Sequence, residues 1–520
     1  MHIRRPLAAL TVTTLLVVGV GPAVAAAAVA QPILTFRSAT AHPVVQRFVD
    51  GDYIWFDLDL GIHMVAGTQP FDIRAKRKSY AQPIVAKLNG TPLPAGLFTS
   101  FGGFEDFTSI TIRDAAGAVV HDYTTDWCPN SERSVRSRPD GPSQNAYPLD
   151  CGWHGYGDGG SGNPFLLGSV WGIPAGWATP IETVPRGDGA WTGQPEIDLP
   201  GGEYQVTVRL NDPYREWLAV PAADATVNLD LTVVDIGVGQ ASAPAAKAGA
   251  RTATEAHQHA TAGDPAAQVT GYDPRFRPPA KVPATLAAVP ATGPKPDLRS
   301  LPAWDIALQQ DTDGKAYITF AATVWNGGTS PLVVDGFRRT GEDLMDAYQY
   351  FYDAAGTEVG ARPAGTMQWD AREGHLHWHF TDFAQYNLLD AGQELAVRSG
   401  KEAFCLANTD PVDYTMPLAK WRPGNTSLAT SCGQNTAVAV REVLDIGNGD
   451  TYGQFLPGQS FEVTDLPNGT YWIEVRANPE EHLAELRTDN NAALRKVILG
   501  GEPGARTLRV PAVHGLDGST

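Results

Sequence analysis

Asp198-Leu199-Pro200-Gly201-Gly202-Glu203-Tyr204 and Asp465-Leu466-Pro467-Asn468-Gly469-Thr470-Tyr471 carry one pattern twice. Beyond each tyrosine an arginine and an asparagine follow at identical offsets, Arg209 and Asn211 in one copy, Arg476 and Asn478 in the other. Both copies open on a turn and run into a β-rich segment, Glu203 to Leu210 and Tyr471 to Arg476. Working outward, the echoes continue in order. Phe104-Glu105-Asp106-Phe107 matches Phe380-Thr381-Asp382-Phe383, Asp114-Ala115 matches Asp390-Ala391, and Cys128 and Cys405 follow at similar distances. Upstream, Gly67-Thr68-Gln69-Pro70 matches Gly328-Thr329-Ser330-Pro331. One such match arises by chance between β-rich sequences; a collinear series reads as a tandem duplication.

The composition agrees with two β units. With 54 Gly, 40 Pro, 16 Tyr and 13 Trp in 520 residues, short strands and many turns are favoured over long helices. The expected fold is mainly β, two β-sandwich-like modules joined by an Ala/Pro-rich linker. The expected boundaries are a module over 31–236, the linker over 237–294, a second module over 295–500 and a tail over 501–520. His257 and His259 fall in the linker and read as an accidental polar pair. Residues 1–30 read as a secretory signal peptide of the bacterial kind, with Arg4 and Arg5, an apolar run from Leu7 to Val20, and Ala28-Val29-Ala30 before Gln31. No other apolar stretch is long enough to span a membrane, so an exported chain with no span after processing is expected. Export makes disulfides the default. Four cysteines allow three connectivities, and sequence proximity favours Cys128–Cys151 and Cys405–Cys432. The formal charge of −18 gives nucleic-acid binding no electrostatic support and suits cationic partners.

Chemistry concentrates in His375-Leu376-His377-Trp378-His379. Alternate residues of an extended segment share a face, so a strand would point all three imidazoles together, whereas a helix would scatter them. Three neutral imidazoles suit copper, zinc or iron with a position left open. Spacing alone does not choose the metal.

Followed by Asp382-Phe383, Tyr386 and Leu388-Leu389-Asp390, the triad resembles the copper-binding motif of the lysyl oxidase family. Gly400-Lys401-Glu402-Ala403-Phe404-Cys405-Leu406 resembles the segment carrying that family's cofactor lysine, and Asp450-Thr451-Tyr452-Gly453 the segment carrying its cofactor tyrosine. Lys295-Pro296-Asp297-Leu298 and Asp489-Asn490-Asn491 are similar as well, so the likeness covers about 295–500. It implies copper held by His375, His377 and His379, and a lysine tyrosylquinone made from Lys401 and Tyr452. The implied activity is oxidation of primary amines, peptidyl lysine among them, by dioxygen to aldehyde, ammonia and hydrogen peroxide. For the cross-link the lysine must act as a neutral nucleophile. Turnover needs a general base, for which Asp382, Asp390 and His482 are the candidates; Gln385 stands where vertebrate members have a further histidine. The resemblance also carries a calcium set of Asp297, the Leu298 carbonyl, Glu485, Asn490 and Asn491, although Arg487 stands where an acidic ligand is expected.

The alternative is an exported metal-binding scaffold or adhesion protein that keeps the fold without the quinone. Aligning the modules with each other puts Thr99, Phe101 and Gly103 opposite the histidines, Thr124 opposite Lys401 and Trp171 opposite Tyr452. The first module is therefore expected to fold alike and to be non-catalytic. The physiological amine and the oligomeric state are not written in the sequence.

Overall fold

The computed structural model describes residues 33–50, 53–152, 162–184, 197–237, 293–312, 314–353, 356–371, 376–401, 403–422 and 428–516. Residues 1–32, nearly all of the expected linker with His257 and His259, and His375 lie outside the described residues.

The fold is nearly all β, and the only α-helix among the described residues is Asp212–Trp217. One large apolar core draws on Leu34 through Val233 and another on Leu298 through Leu499, so each module packs around its own interior. In the first module, one sheet has the order Leu34–Ser38, Ile62–Ala66, Trp177–Pro180, Val135–Arg136. The second module repeats it as Leu298–Ser300, Ala316–Asn326, Asn448–Tyr452, Asp410–Pro411. Ala316–Asn326 is bonded on both edges and buried along almost its whole length, which explains its run AYITFAATVW, apolar but for Thr319 and Thr323. Gly202–Leu210 has one wet face in its outer half and alternates there.

The duplication holds atom by atom at its corners. Tyr204 Oη donates to the Pro200 carbonyl at 2.8 Å, and Tyr471 Oη to the Pro467 carbonyl at 2.8 Å. The Asn211 amide bonds the Phe107 carbonyl at 3.0 Å, and the Asn478 amide the Phe383 carbonyl at 2.7 Å. Asp106 and Asp382 both adopt positive φ, 49° and 59°. Asp114 Oδ1 accepts from the Ala116 and Ala118 amides, as Asp390 Oδ1 accepts from those of Gly392 and Glu394. The cysteines pair as expected, Cys128 with Cys151 and Cys405 with Cys432.

One pairing from the internal alignment is corrected. Trp171 lies in Gly168–Ile173, which pairs with Phe71–Lys76, as Ala439–Leu444 pairs with Leu332–Arg338. The counterpart of the strand carrying Tyr452 is Trp177–Pro180, bonded to Ile62–Ala66. A short glycine–aromatic–glycine likeness recurs in many strands; only the hydrogen-bonded neighbour identifies which strand it is. The first module also lacks, among the described residues, a counterpart of the strand His377–Thr381. Its sheet ends at Thr91–Pro92, and Thr99, Phe101 and Gly103 lie in irregular chain.

The two modules dock along the edge of the sheet that carries Tyr452. The Leu167 and Gly168 amides donate to the Val412 carbonyl at 2.7 and 3.1 Å, and the Tyr414 amide to the Gly168 carbonyl at 2.9 Å. A Cβ at Gly168 would overlap the Asp413 carboxylate, so only glycine permits this approach. Phe165 inserts among Leu301, Trp304, Ala321, Trp325 and Val412. Tyr147 stacks on Trp421, and Arg422 Nε donates to the Tyr147 carbonyl at 2.6 Å.

Candidate metal and cofactor site

His377–Thr381 pairs with Glu358–Asp370, with His377 opposite Asp370 and His379 opposite Gln368. Strand alternation brings His377 and His379 to one face, where both are buried. Their Nε2 atoms approach to 2.8 Å with the rings 77° apart. Asp370 Oδ2 lies 3.2 Å from His379 Nδ1. A carboxylate at Nδ1 fixes the proton there and turns the Nε2 lone pair inward, the arrangement that supports a metal-binding imidazole. Two converging Nε2 atoms backed by an aspartate suit a transition metal such as copper, zinc or iron. His375, the third expected ligand, lies outside the described residues, and among the described residues no group of three ligating side chains forms. Trp378 points to the opposite side, where its Nε1 donates to the Gln434 carbonyl at 3.1 Å and Arg338 lies over its ring.

Lys401 and Tyr452 meet in a second cluster. Both are 1% exposed, and Lys401 Nζ stands 4.6 Å from the centre of the Tyr452 ring and 5.3 Å from that of Phe404. Tyr452 ends the strand Asn448–Tyr452, where its Oη accepts from the Cys405 amide at 3.1 Å. The disulfide partner Cys432 has its carbonyl bonded by the Trp378 amide, so one cross-link ties the tyrosine's anchor to the histidine strand. Lys401 is set by its neighbours: its amide donates to Ser399 Oγ, which donates in turn to the Gly458 carbonyl. Gly458, at φ +88°, lies against the Lys401 backbone, where a side chain would collide. Burial, followed by the neighbouring Asp450 and Glu442 charges, holds the Tyr452 phenol well above its ordinary range.

The two clusters stand on different sides of the histidine strand. Phe380 pairs directly with Phe404, and Phe404 packs edge-on against Tyr452 at 4.9 Å. Phe380 and Trp378 face away from the imidazoles, so the lysine–tyrosine pair belongs to the apolar core and the histidines to the other face.

The expected bases have other settings. Asp390 is exposed and forms a turn, Asp382 sits at a positive-φ corner shared with Asp106, and His482 is exposed. Acids not singled out from the sequence surround Tyr452 instead. Glu442 and Asp450 are buried, and burial pushes both carboxyls well above their usual range. Glu442 does carry a signal: the adjacent charges Arg441-Glu442 interrupt the apolar strand Ala439–Leu444, which marks buried polar groups.

Asp297, Leu298, Glu485, Asn490 and Asn491 do assemble, as a hydrogen-bonded cluster. Asn490 Nδ2 donates to both Asp297 oxygens, at 3.3 and 3.2 Å, and Arg299 pairs with the same carboxylate at 2.6 Å. Glu485 accepts from the Leu298 amide at 2.7 Å and from Asn491 at 2.9 Å. Arg487 pairs with Asp489 in solvent. The Arg299 guanidinium supplies positive charge at Asp297, while Asn490 Oδ1 and Asn491 Oδ1 are buried without a hydrogen-bond partner among the described residues, so oxygens of the expected calcium set stand together beside an arginine.

Residues 353–505 match the lysyl oxidase family profile. The second module belongs to the lysyl oxidase family. Human protein-lysine 6-oxidase is 31% identical over 133 residues, 25% of this chain and 28% of that protein. The pig protein of the same name is 30% identical over 133 residues, covering 46% of its length. Human lysyl oxidase homolog 1 is 31% identical over 132 residues and 20% of its length. The likeness thus spans less than half the length of these relatives.

Proposed function

We propose that this chain is an exported copper-dependent oxidase of primary amines, which yields an aldehyde, ammonia and hydrogen peroxide at the expense of dioxygen. The observation that carries the reading is the buried Lys401 amine held 4.6 Å over the buried Tyr452 ring in a lysyl-oxidase module. A lone surface lysine or a packing tyrosine would explain neither the burial nor the contact.

His375, His377 and His379 would hold copper, with Asp370 orienting His379. The chemistry that copper would supply there is oxidation by dioxygen, which the Tyr452 ring would need in order to become a carbonyl-bearing cofactor. The chain's own residues do the rest. The Cys405 amide holds the phenol oxygen, so the ring keeps one orientation against Lys401. Ser399 and Gly458 fix the lysine backbone, and the Phe404 and Tyr386 rings keep bulk water from the amine. The acidic chain favours approach of a cationic amine. Peptidyl lysine is the first substrate to try, by analogy with protein-lysine 6-oxidase. The first module, which lacks a histidine strand among its described residues, acts as a non-catalytic companion docked on the sheet edge.

The test uses the full chain, copper-loaded in air and offered primary amines. Peroxide and ammonia in equal amounts are expected from the native chain. Lys401→Ala is expected to produce neither while retaining copper. A Lys401→Ala protein as active as the native one would refute the reading.

A further inference from the structure

The proposed chemistry leaves one buried acid without a task. Asp450 precedes Tyr452 by two residues on the strand Asn448–Tyr452, so carboxyl and ring leave the strand on the same side. The Lys401 amine lies over that ring, and its positive charge favours the ionised Asp450 carboxyl. The titratable groups facing Asp450 are Lys401, Asp410, Glu442 and Tyr452, with Tyr386 just behind the ring; Lys401 is the one cation in the group.

The three acids differ in what already holds them. One Glu442 oxygen accepts from the Leu406 amide at 3.0 Å and so anchors the chain beside the disulfide. One Asp410 oxygen takes the Thr451 hydroxyl. Asp450, 2% exposed, is offered the Ala407 backbone amide, and neither of its oxygens is held by a side-chain hydrogen bond among the described residues. Buried carboxylates are ordinarily fully satisfied, and one held by so little calls for an explanation. An acid placed to receive a proton from a neighbouring ammonium, in a site that water does not reach, provides one.

We infer that Asp450 is the proton acceptor for Lys401 when that amine is joined to the Tyr452 ring. The inference rests on the amine-oxidase reading and assigns a residue to the maturation it requires. A proton passes from the ammonium nitrogen to a carboxylate oxygen, giving a neutral amine and a carboxylic acid, and no electrons change hands. The nitrogen lone pair then forms the carbon–nitrogen bond to the ring that dioxygen has oxidised, and the ring takes up the electron pair. Burial raises the Asp450 carboxyl, and the Lys401 charge and the Ala407 amide offset part of that rise. An acid raised in this way is a better match for an amine.

The experiment follows cross-linking rather than turnover. Copper-free full chain is given copper in air, and the joined Lys401–Tyr452 peptide is quantified by mass spectrometry over time from about pH 6 to about pH 9, the range in which a positioned acid–base pair governs rate. Copper content and thermal unfolding are recorded on the same samples. Asp450→Asn is expected to hold copper and to cross-link on the order of 10²-fold more slowly, since positioned acid–base groups contribute about that much. Asp450→Glu, which keeps an acceptor, is expected to recover much of the rate with a displaced pH profile. Cross-linking of Asp450→Asn at the native rate and pH profile would overturn the inference and leave the oxidase reading intact. Native chain that holds copper and never cross-links would overturn both. If the Asn variant does not fold, the Glu variant decides: a displaced profile supports the inference, and an unchanged one overturns it.

Discussion

At the residue scale, the second module is marked by how many ionisable groups it buries. Asp445 is the clearest to measure. It is 1% exposed, and burial raises its carboxyl from 3.8 to about 7, with Lys420 and Asn408 only partly offsetting this. An acid raised in the folded state binds its proton more tightly there than in the unfolded chain. Its contribution to stability is therefore intact below about pH 3.8 and declines as pH rises toward 7. Asp445→Asn cannot ionise, so its stability relative to the native protein should improve across that window and level off above it. Denaturant unfolding at a series of pH values measures the difference, and a difference independent of pH would show that Asp445 does not titrate in this range. The buried pair Arg441–Asp335 shows the other solution, a carboxylate held by guanidinium through two hydrogen bonds.

At the scale of elements, the duplicated corners were readable and the pairing of strands was not. Proline and tyrosine at matched offsets predicted a shared local structure because they bond to each other across four residues. The Tyr204 and Tyr471 hydroxyls prove it, each returning to the carbonyl four residues back. Tyr204→Phe and Tyr471→Phe should each lower stability by about 1 kcal/mol, the usual net contribution of such a bond. Calorimetry that resolves the two modules would place each loss in its own transition. A loss in only one would mean that the corners are alike in geometry and unequal in energy. Trp171 shows the opposite case. Its strand was matched to the tyrosine strand on local letters, but hydrogen bonds to Phe71–Lys76 make it the counterpart of Ala439–Leu444. Strand partners lie far apart in sequence, and no local pattern names them.

At the scale of the whole molecule, the modules are joined where the chemistry is expected. Asn163 Nδ2 reaches Thr323 Oγ1 at 3.3 Å, Thr323 meets Thr451 at 2.6 Å, and Thr451 in turn donates to Asp410. A hydrogen-bonded chain thus runs from the first module to the residue beside Tyr452. Gly168→Val should break the docking, because its side chain would occupy the space of Asp413. Hydrogen exchange should then quicken at 410–414 and 448–452, while the core strands Ile62–Ala66 and Gly202–Leu210 stay protected. Unchanged protection at 448–452 would show that the tyrosine strand needs no support from its neighbour.

The sequence by itself determined the β class, the duplication, the disulfide partners and the lysyl-oxidase likeness, with its histidines, lysine and tyrosine. Each of these is a matter of short spacing or side-chain type, and such information survives in a linear chain. Only the tertiary structure decided which face each group occupies. Alternation predicted that His377 and His379 would point together, and they do. It could not predict that the Phe380–Phe404 pairing would draw Lys401 and Tyr452 to the other side of that strand. Nor could it show that Asp450 and Glu442 are buried beside the ring, or that Arg299 stands at Asp297 where a cation was expected. Those placements depend on registers between strands tens of residues apart, and register is set by the burial of whole faces rather than by any single motif.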